Sequence, residues 1–495
     1  MTDDHEIGLP IKFGPCSNGE YDPQPLSPVV RETIRLARDA CDTNARRTGM
    51  GRRQFLRSVC GAATTLLMLN ACAEEAARSK RRKPGGRFDL PTTSTTDPDA
   101  ARAVLAGDEF VFDAQCHFLE YRDGAGTPVG RDFWSGFPQR DCGEGDPRAC
   151  FSIAHFFETV FVESDTSMVI LSALPIAPEG SPMSAVFMDE ARRNAEAFFG
   201  DERVLIQSQA LPNVGDLAAN LDAMAAAVET YPIVAWKVFT NYPDLYEASG
   251  NAWRLDDGDP ALAQVGAAFV EHAVRLGVPI ITAHKGLSGT QGYNSPHASP
   301  IDFGPSARDH PDATFVAYHS GYEAAMVEVP YTLATAGVGA NRLITSMINA
   351  GIGPNQNIYA ELGTSWWSVM SSPDQAAHLI GKLLKYVGED NVLWGTDSLF
   401  YGAPQDQIQA FRAFQISEEF QARFGYPALT DEVKRKVLGL NALRLHDVNP
   451  VNVPAPVGRA ELEQLRAGRH TAHRTFGPRT PREVRAHIAA HHGLP

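Results

Sequence analysis

The sequence lacks an excess of basic residues, and this absence excludes several classes of partner. Lys and Arg total 44 against 59 Asp and Glu, so the net charge is −15, and no basic cluster resembles a nucleic-acid-binding groove. Such a surface repels nucleic acid and anionic lipid. With 43% hydrophobic residues over 495 positions, the composition is that of an ordinary globular protein, which favours chemistry on a small molecule.

Cysteine is scarce in the main part of the chain. Four of the seven cysteines lie in the first 72 residues, and only Cys116, Cys142 and Cys150 follow them. Cys142 and Cys150 flank the loop "CGEGDPRAC" and could close a small disulfide in an oxidising compartment. Two free surface thiols are an equal alternative, so the pairing stays open.

Two common catalytic signatures are also missing. No Gly-rich phosphate fingerprint follows the first predicted strand, which argues against an open dinucleotide-binding sheet. No Gly-x-Ser-x-Gly elbow is present, so the Asp and His residues do not indicate a serine hydrolase.

An export signal is predicted at residues 51–73. Arg52 and Arg53 precede a mildly apolar stretch, 59–69, which is too short to span a membrane and is followed by small residues. This order resembles a twin-arginine translocation signal, which implies export to the periplasm or the exterior, with the twin-arginine machinery as a partner. The alternative is an amphipathic basic segment packed on the protein.

The end of this signal has two interpretations. The sequence "ACA" fits cleavage after Ala73, whereas "LNAC" resembles a lipobox that would leave a lipid anchor on Cys72. We prefer cleavage, because Asn70 is unusual in a lipobox. The 51 residues before Arg52 are far more than such signals usually carry, and they favour the packed-segment alternative.

From residue 109 onward, short apolar runs alternate with segments of helical spacing. Eight runs are predicted to be buried strands: 110–116, 167–172, 203–209, 233–239, 278–283, 314–319, 357–362 and 391–396. Strands that alternate with helices pair in parallel through right-handed crossovers. Eight of them predict an α/β fold, a (β/α)8 TIM-type barrel, with an open doubly wound sheet as the alternative.

The predicted organisation has four parts and one insertion. The parts are an extension with the signal at 1–73, a linker at 74–108, the barrel at 109–448, and a helical tail at 449–495. The stretch 119–165 is too long for a simple connection and is predicted to be a lid or insertion over the site.

Polar side chains follow the predicted strands where the strands end. In a barrel these ends meet at one mouth. The residues concerned are Gln115, His117, Lys237, His284, His319, Glu323, Glu361 and Asp397. A single histidine at a strand end is more often structural, but three histidines and an aspartate together suit zinc, manganese or iron. Such a metal lowers the pKa of a bound water to about 7.

At these positions the chain resembles a known family. The motifs "DAQCH", "AHKG", "YHSG", "LWGTDS" and "VLGLNALRLH" follow, in order, the landmarks of the amidohydrolase superfamily. Within it, the chain looks most like the branch that includes aminocarboxymuconate semialdehyde decarboxylase. The resemblance covers about residues 110–446.

The resemblance implies a role for each matching residue. It makes His117, His284 and Asp397 ligands of one divalent transition metal, with zinc favoured and manganese or iron as alternatives. It makes His319 the residue that polarises or protonates the substrate. Asp397 would also accept a proton from the metal-activated water, a role that an aspartate beside a metal suits on general grounds.

Gln115 departs from the family pattern, since many members carry histidine there. Its carbonyl oxygen can still act as a weak neutral ligand, so we include Gln115 in the predicted metal site. Lys237 lies within a strand, where a lysine is costly unless it is paired or faces the polar mouth. We expect it to bind substrate or to pair with Glu361.

Five residues are therefore predicted to contact the substrate: Lys237, Glu361, Glu323, Tyr318 and Trp366. For the aromatic pair, simple packing is an equal alternative.

The favoured function is an exported metal-dependent hydrolase of a small amide, ester or lactone. The alternatives are a non-oxidative decarboxylase of an aromatic or unsaturated acid and a non-catalytic binding protein on the same scaffold. The expected partner is a small-molecule substrate, and a homodimer is left open.

Overall fold

The structure is a computed structural model that describes residues 8–120, 147–174, 181–240, 252–290, 293–294, 296–452 and 475–492. Eight parallel strands form its central sheet. They are β1 Phe112–Cys116, β2 Met168–Ser172, β3 Val204–Gln209, β4 Ile233–Val238, β5 Ile280–His284, β6 Thr314–Tyr318, β7 Ile358–Glu361 and β8 Val392–Leu393. Each strand overlaps its predicted run, with bounds that differ by at most three residues, and the predicted barrel is confirmed.

The strands follow one another around the sheet in chain order, from β1 to β8. Backbone hydrogen bonds then close the sheet between its first and last strands. The Ala114 N–H donates to the carbonyl of Trp394 at 3.0 Å, and the Asp397 N–H donates to the carbonyl of Gln115 at 2.9 Å. Ring closure removes the exposed edges that an open sheet would have.

Helices surround the barrel and extend to both ends of the chain. They are α1 Pro28–Arg47, α2 Arg52–Leu56, α3 Val59–Ser79, α4 Pro98–Leu105, α5 Ile153–Phe157, α6 Ala185–Phe199, α7 Leu217–Thr230, α8 Gly266–Arg275, α9 Phe303–Asp309, α10 Asn341–Ala350, α11 Ser365–Val369, α12 Pro373–Leu383, α13 Gln405–Ala413, α14 Glu418–Phe424, α15 Asp431–Arg435, α16 Asn441–Leu445 and α17 Pro481–His492. In the described residues, no helix has the length and apolar character needed to cross a bilayer.

The alternation of side chains along the strands decides which residues face the barrel interior. In β4, Ala235 belongs to the hydrophobic cluster inside the barrel, whereas Trp236 and Val238 belong to the larger cluster formed with the helices. Successive side chains point to opposite faces of a strand, so Lys237 shares the inner face with Ala235. The sequence pattern therefore places the lysine inside the barrel.

The N-terminal helices pack into the same hydrophobic cluster as the barrel helices. Cys60, Ala63, Leu66 and Leu69 on α3 are fully buried and belong to that cluster, together with Trp394. The side chain of Asn70 exchanges two hydrogen bonds with the backbone of Phe88, at 2.9 and 2.7 Å. Residues of the predicted signal therefore form part of the core in this structure, and the export signal itself stays a prediction.

The N-terminal segment, residues 8–26, lies before α1 and contacts the loop that follows β8. The Lys12 ammonium donates to Asp406 at 2.8 Å and to the carbonyl of Ala403 at 2.7 Å, and both charged side chains are buried. Tyr21 donates to the carbonyl of Cys16 at 2.6 Å and lies 3.1 Å from the hydroxyl of Tyr401. These contacts hold the segment against the mouth of the barrel.

Residues 74–108 contain more regular structure than the predicted linker. They include the end of α3, α4 and a short strand, Gly86–Phe88, which pairs antiparallel with Phe414–Ile416. Phe88 and Leu105 are buried. The Pro, Thr and Ser content of this stretch reflects turns and helix starts: Asp97, for example, caps α4.

Two further predictions fall partly outside the described residues. Within the predicted lid, 121–146 lie outside them; the described remainder includes α5 and is mostly buried. Cys150 is disulfide-bonded, whereas Cys142 lies outside the described residues.

In the tail, Phe476 N–H donates to the carbonyl of Phe400 at 2.7 Å, so the tail also reaches the loop after β8.

Candidate active site

The ends of β1 and β8 bring three predicted site residues together. His117 Nε2 lies 3.1 Å from Asp397 Oδ1. Gln115 Nε2 donates to the same oxygen at 3.1 Å. The backbone hydrogen bonds that close the barrel connect these two strand ends, so the closure itself places His117 beside Asp397.

Two more predicted residues lie at the ends of β5 and β6. The rings of His284 and His319 contact each other edge to face, with centroids 4.8 Å apart. Nδ1 of His319 lies 2.9 Å from the carbonyl of Gly363. Because a carbonyl only accepts, Nδ1 carries the proton in the neutral ring, and Nε2 presents a lone pair to the site.

The N-terminal segment contributes two residues that the sequence analysis does not predict. Asn18 Nδ2 donates to Asp397 Oδ2 at 2.7 Å and to Glu20 Oε2 at 2.5 Å. The Glu20 carboxylate lies 3.3 Å from His284 Nδ1 and 3.8 Å from His319 Nε2. The only available signal is the polar sequence "SNGE", and it lies in a stretch that we assigned to a removable leader.

The charges of the cluster match what a cation site needs. Burial lowers the pKa of His319 to about 4, and burial also lowers that of His284 well below its usual range. Burial alone would raise the pKa of Asp397, but the hydrogen bond to His117 and the nearby imidazoles lower it below its usual range. Neutral imidazoles beside an ionised carboxylate are the protonation states of metal ligands.

Glu361 holds the backbone at His319 in place. Its carboxylate accepts hydrogen bonds from the backbone N–H groups of His319, at 3.1 Å, and of Gly363. Burial raises the pKa of Glu361 to about 8. Glu361 is thus a positioning residue for the β6 and β7 ends.

The backbone is strained at the residues that carry the site. His319, Thr364 and Asp397 have φ values of 64°, 59° and 58°, a region that residues other than glycine rarely adopt. Each such residue costs on the order of 1–3 kcal/mol, and strain of this kind concentrates at active sites. Thr364 also donates to Asp397 Oδ2 at 2.6 Å, which helps to hold the carboxylate in place.

Lys237 and Tyr318 form the floor of the site. The Lys237 ammonium lies 3.9 Å from the centroid of the Tyr318 ring and 4.7 Å from that of Phe239. Burial lowers the pKa of Lys237, although the carboxylates of Glu20, Asp397 and Glu361 partly offset the shift. The Tyr318 hydroxyl donates to the carbonyl of Ala114 at 2.7 Å and accepts from Gln207, so its polar atom is engaged within the barrel.

The other two predicted substrate contacts have structural partners. Glu323 accepts a hydrogen bond from the Ser288 N–H at 2.9 Å and pairs with Arg342. Trp366 is fully buried, donates to the carbonyl of Gln407 at 3.0 Å and packs against Phe411. A position near a strand end predicts the region of a residue but not the direction of its side chain.

Unsatisfied acceptors in the cluster test whether a metal fits. Among the described residues, the buried Oε1 of Gln115, Nδ1 of His117 and Nε2 of His319 have no hydrogen-bond partner. Buried polar atoms are normally paired, so such a set needs an explanation. Imidazole nitrogens and carboxylate and amide oxygens are suitable metal ligands, and the residues present fit a divalent cation.

Comparison with known proteins identifies the family. Residues 209–448 match the family model described as Amidohydrolase. Over these residues, about half of the chain, the protein is similar to amidohydrolases. This match confirms the resemblance carried by the motifs and supports an enzyme. Amidohydrolases typically use a divalent metal. A search of curated proteins finds no match.

Several solved structures are similar to this chain. The 5-carboxyvanillate decarboxylase of Sphingomonas paucimobilis is 14% identical, with a TM-score of 0.40 over 69% of this chain and 99% of that one. The 4-oxalomesaconate hydratase of Rhodopseudomonas palustris is 15% identical, with a TM-score of 0.40 over 72% and 100%. The N-isopropylammelide isopropylaminohydrolase of Burkholderia multivorans is 13% identical, with a TM-score of 0.36 over 73% and 83%. These similarities do not distinguish decarboxylation, hydration and hydrolysis as the reaction of this chain.

Proposed function

We propose that this amidohydrolase-family enzyme hydrolyses a small amide, ester or lactone with the help of one divalent transition metal. Zinc is the favoured metal, with manganese or iron as alternatives. The observation that carries the proposal is the Asp397 carboxylate 3.1 Å from His117 Nε2, at the strand ends where active sites of this fold lie.

The metal site would consist of His117, His284 and Asp397, with the carbonyl oxygen of Gln115 as a neutral ligand. A bound cation would supply the Lewis acidity that ionises a water near neutral pH. Asp397, an ionised carboxylate at the site, would be the group that takes up the released proton. Hydrogen bonds from Asn18 and Thr364 orient its second oxygen.

His319 is suited to accept a proton or a cation, whereas the resemblance implies that it polarises or protonates the substrate. With its proton on Nδ1, its Nε2 accepts a proton or a cation, and it must first be protonated before it can polarise a substrate. The ammonium of Lys237, buried beside the site, is suited to hold an electron-rich atom of the substrate.

The second candidate function is non-oxidative decarboxylation of an aromatic or unsaturated acid. Lys237 favours it, because a buried ammonium inside the barrel can pair with a substrate carboxylate. The two reactions differ in product. A panel of lactones, amides and hydroxybenzoates, assayed for released acid and for carbon dioxide, separates them; carbon dioxide without hydrolysis would replace our first candidate by the second.

The Asp397→Asn variant tests the role of the carboxylate. We expect a fall in kcat of about 10²–10⁴, the range that a general base contributes. The exposed Asp312→Asn variant is the matched control, and metal content is measured by elemental analysis in both. Near-normal turnover by Asp397→Asn with metal bound would refute the proposed role.

Export through the twin-arginine machinery remains a separate proposal. Replacement of Arg52 and Arg53 by lysine, followed by localisation of the protein, tests it. Unchanged export would refute the signal, and intact-mass measurement of the exported form would locate any cleavage.

A further inference from the structure

The loop that carries Asn18 and Glu20 enters the same cation site. Glu20 Oε1 lies 3.3 Å from His284 Nδ1, and Glu20 Oε2 lies 3.8 Å from His319 Nε2. One ligand atom from each of the three residues falls within 4.8 Å of the other two. This group comes from three elements that are distant in sequence, and the barrel motifs contribute only two of its members.

The donors and acceptors of the group indicate what it binds. His319 uses its Nδ1 proton on the carbonyl of Gly363, so its Nε2 offers a lone pair. That lone pair faces a carboxylate oxygen, and two acceptors at 3.8 Å repel each other unless a positive charge lies between them. A divalent cation would satisfy both acceptors and compensate the negative charge of the partly buried Glu20 carboxylate.

Gln115 explains why an additional ligand is needed. Its amide nitrogen donates to Asp397, so only the neutral carbonyl oxygen remains as an acceptor. A glutamate supplies the charge and ligand strength that an amide oxygen lacks.

We propose that Glu20, supplied by the N-terminal segment, is a ligand of the catalytic cation together with His284 and His319. The inference rests on the proposed function, because it adds two ligands, Glu20 and His319, to that cation site. It also makes residues 8–26 part of the active enzyme, so cleavage after Ala73 would remove a metal ligand.

Hydrogen bonds of the N-terminal segment hold the Glu20 carboxylate in place. Asn18 bridges Glu20 to Asp397, with donor–acceptor distances of 2.5 and 2.7 Å. The Ser17 side chain accepts from the Gly19 N–H at 2.9 Å and donates to the carbonyl of Tyr21 at 2.6 Å, which fixes the turn around Glu20. The geometry of the ligand is therefore set before a cation arrives, as preorganised sites require.

The test uses the full-length Glu20→Gln variant, which keeps the shape of the side chain and removes its charge. Glu32→Gln is the matched control, because Glu32 lies on the exposed side of α1 and pairs only with neighbouring Arg35 among its described contacts. The apoproteins are titrated with Zn²⁺ against a competing chelator and with Co²⁺, whose visible absorption reports a change of ligand. Thermal melting shows whether each variant is folded.

We expect Glu20→Gln to weaken Zn²⁺ binding by more than about 100-fold, beyond the loss typical of residues that only support ligands, and to alter the Co²⁺ spectrum. Glu32→Gln should match the wild type. If both variants bind Zn²⁺ as the wild type does while hydrolysis proceeds, the ligand assignment is wrong and the proposed function stands. If Glu20→Gln binds metal normally and turns over faster, Glu20 obstructs the site and the assignment is again wrong.

The remaining outcomes separate this inference from the proposed function. Loss of Zn²⁺ affinity in Glu20→Gln, in a protein that hydrolyses no member of the substrate panel, would support the ligand and refute the hydrolase. Failure of the wild type to bind Zn²⁺ or Co²⁺ would refute both.

Discussion

The barrel and the N-terminal segment both contribute to one site, but they reach it by different routes. The barrel supplies His117, His284, His319 and Asp397 from the ends of four strands, so their meeting follows from the topology of the sheet. The N-terminal segment supplies Glu20 from a loop outside the sheet, held by contacts such as that between Lys12 and Asp406, 394 positions away. A fold-defined half and a docked half therefore form the proposed cation site together.

Substitutions in the two halves should therefore affect stability and cation binding differently. A change at a strand end removes a ligand and leaves the fold intact, whereas a change that loosens the segment should reduce stability and cation affinity together. The N-terminal helices share the core with the barrel, which couples docking of the segment to folding. Variants in each half test this coupling.

Lys12→Met should have the largest effect on stability. It leaves the Asp406 carboxylate buried without its ammonium partner, and breaking a buried pair in this way costs about 3–5 kcal/mol. We expect a lower free energy of unfolding in urea and weaker Zn²⁺ binding, since the segment that carries Glu20 is released. The exposed Lys83→Met variant is the control. A stable Lys12→Met with normal Zn²⁺ affinity would mean that the segment does not depend on this anchor.

Leu66→Ala tests whether α3 remains in the folded, functional protein. Leu66 is fully buried, and truncating a buried leucine to alanine typically costs about 2–5 kcal/mol. Leu333→Ala, at a leucine that is 91% exposed, should change the free energy of unfolding by less than about 0.5 kcal/mol. If cells remove residues 1–73, Leu66→Ala will leave the stability of the isolated mature protein unchanged, and the docked half proposed here will not exist in it.

The fold-defined half of the site could be predicted from the sequence because its signals are local. Apolar runs mark the strands, and the polar residue that ends each run lies at the mouth by the geometry of parallel pairing. This reasoning places His117, His284, His319 and Asp397 at one end of the barrel, where the structure also has them, and their roles stay predictions. Alternation along β4 likewise places Lys237 inside.

Side-chain direction and docking could not be predicted in the same way. Trp366 follows β7 but starts a short helix, so its ring points into the packing against Phe411 instead of the site. Glu20 has no periodic signal, because its place depends on where a distant loop docks. The apolar run of α3 has the same composition whether it is a leader or a core helix, and only tertiary packing distinguishes the two.

Of the three variants, Gly395→Ala should have the smallest effect on stability, and this effect should be limited to the fold-defined half. A Cβ at this position would lie 1.7 Å from Glu361 Oε1, and that carboxylate cannot move away because two backbone N–H groups hold it. Such overpacking costs about 1–3 kcal/mol. Because Glu361 positions the backbone of His319, we expect kcat to fall as well, while the contact between Lys12 and Asp406 is unaffected. Gly337→Ala is the control, since a Cβ there meets no atom within 4 Å. Unchanged stability and turnover in Gly395→Ala would show that Glu361 has an alternative position and does not set the geometry of His319.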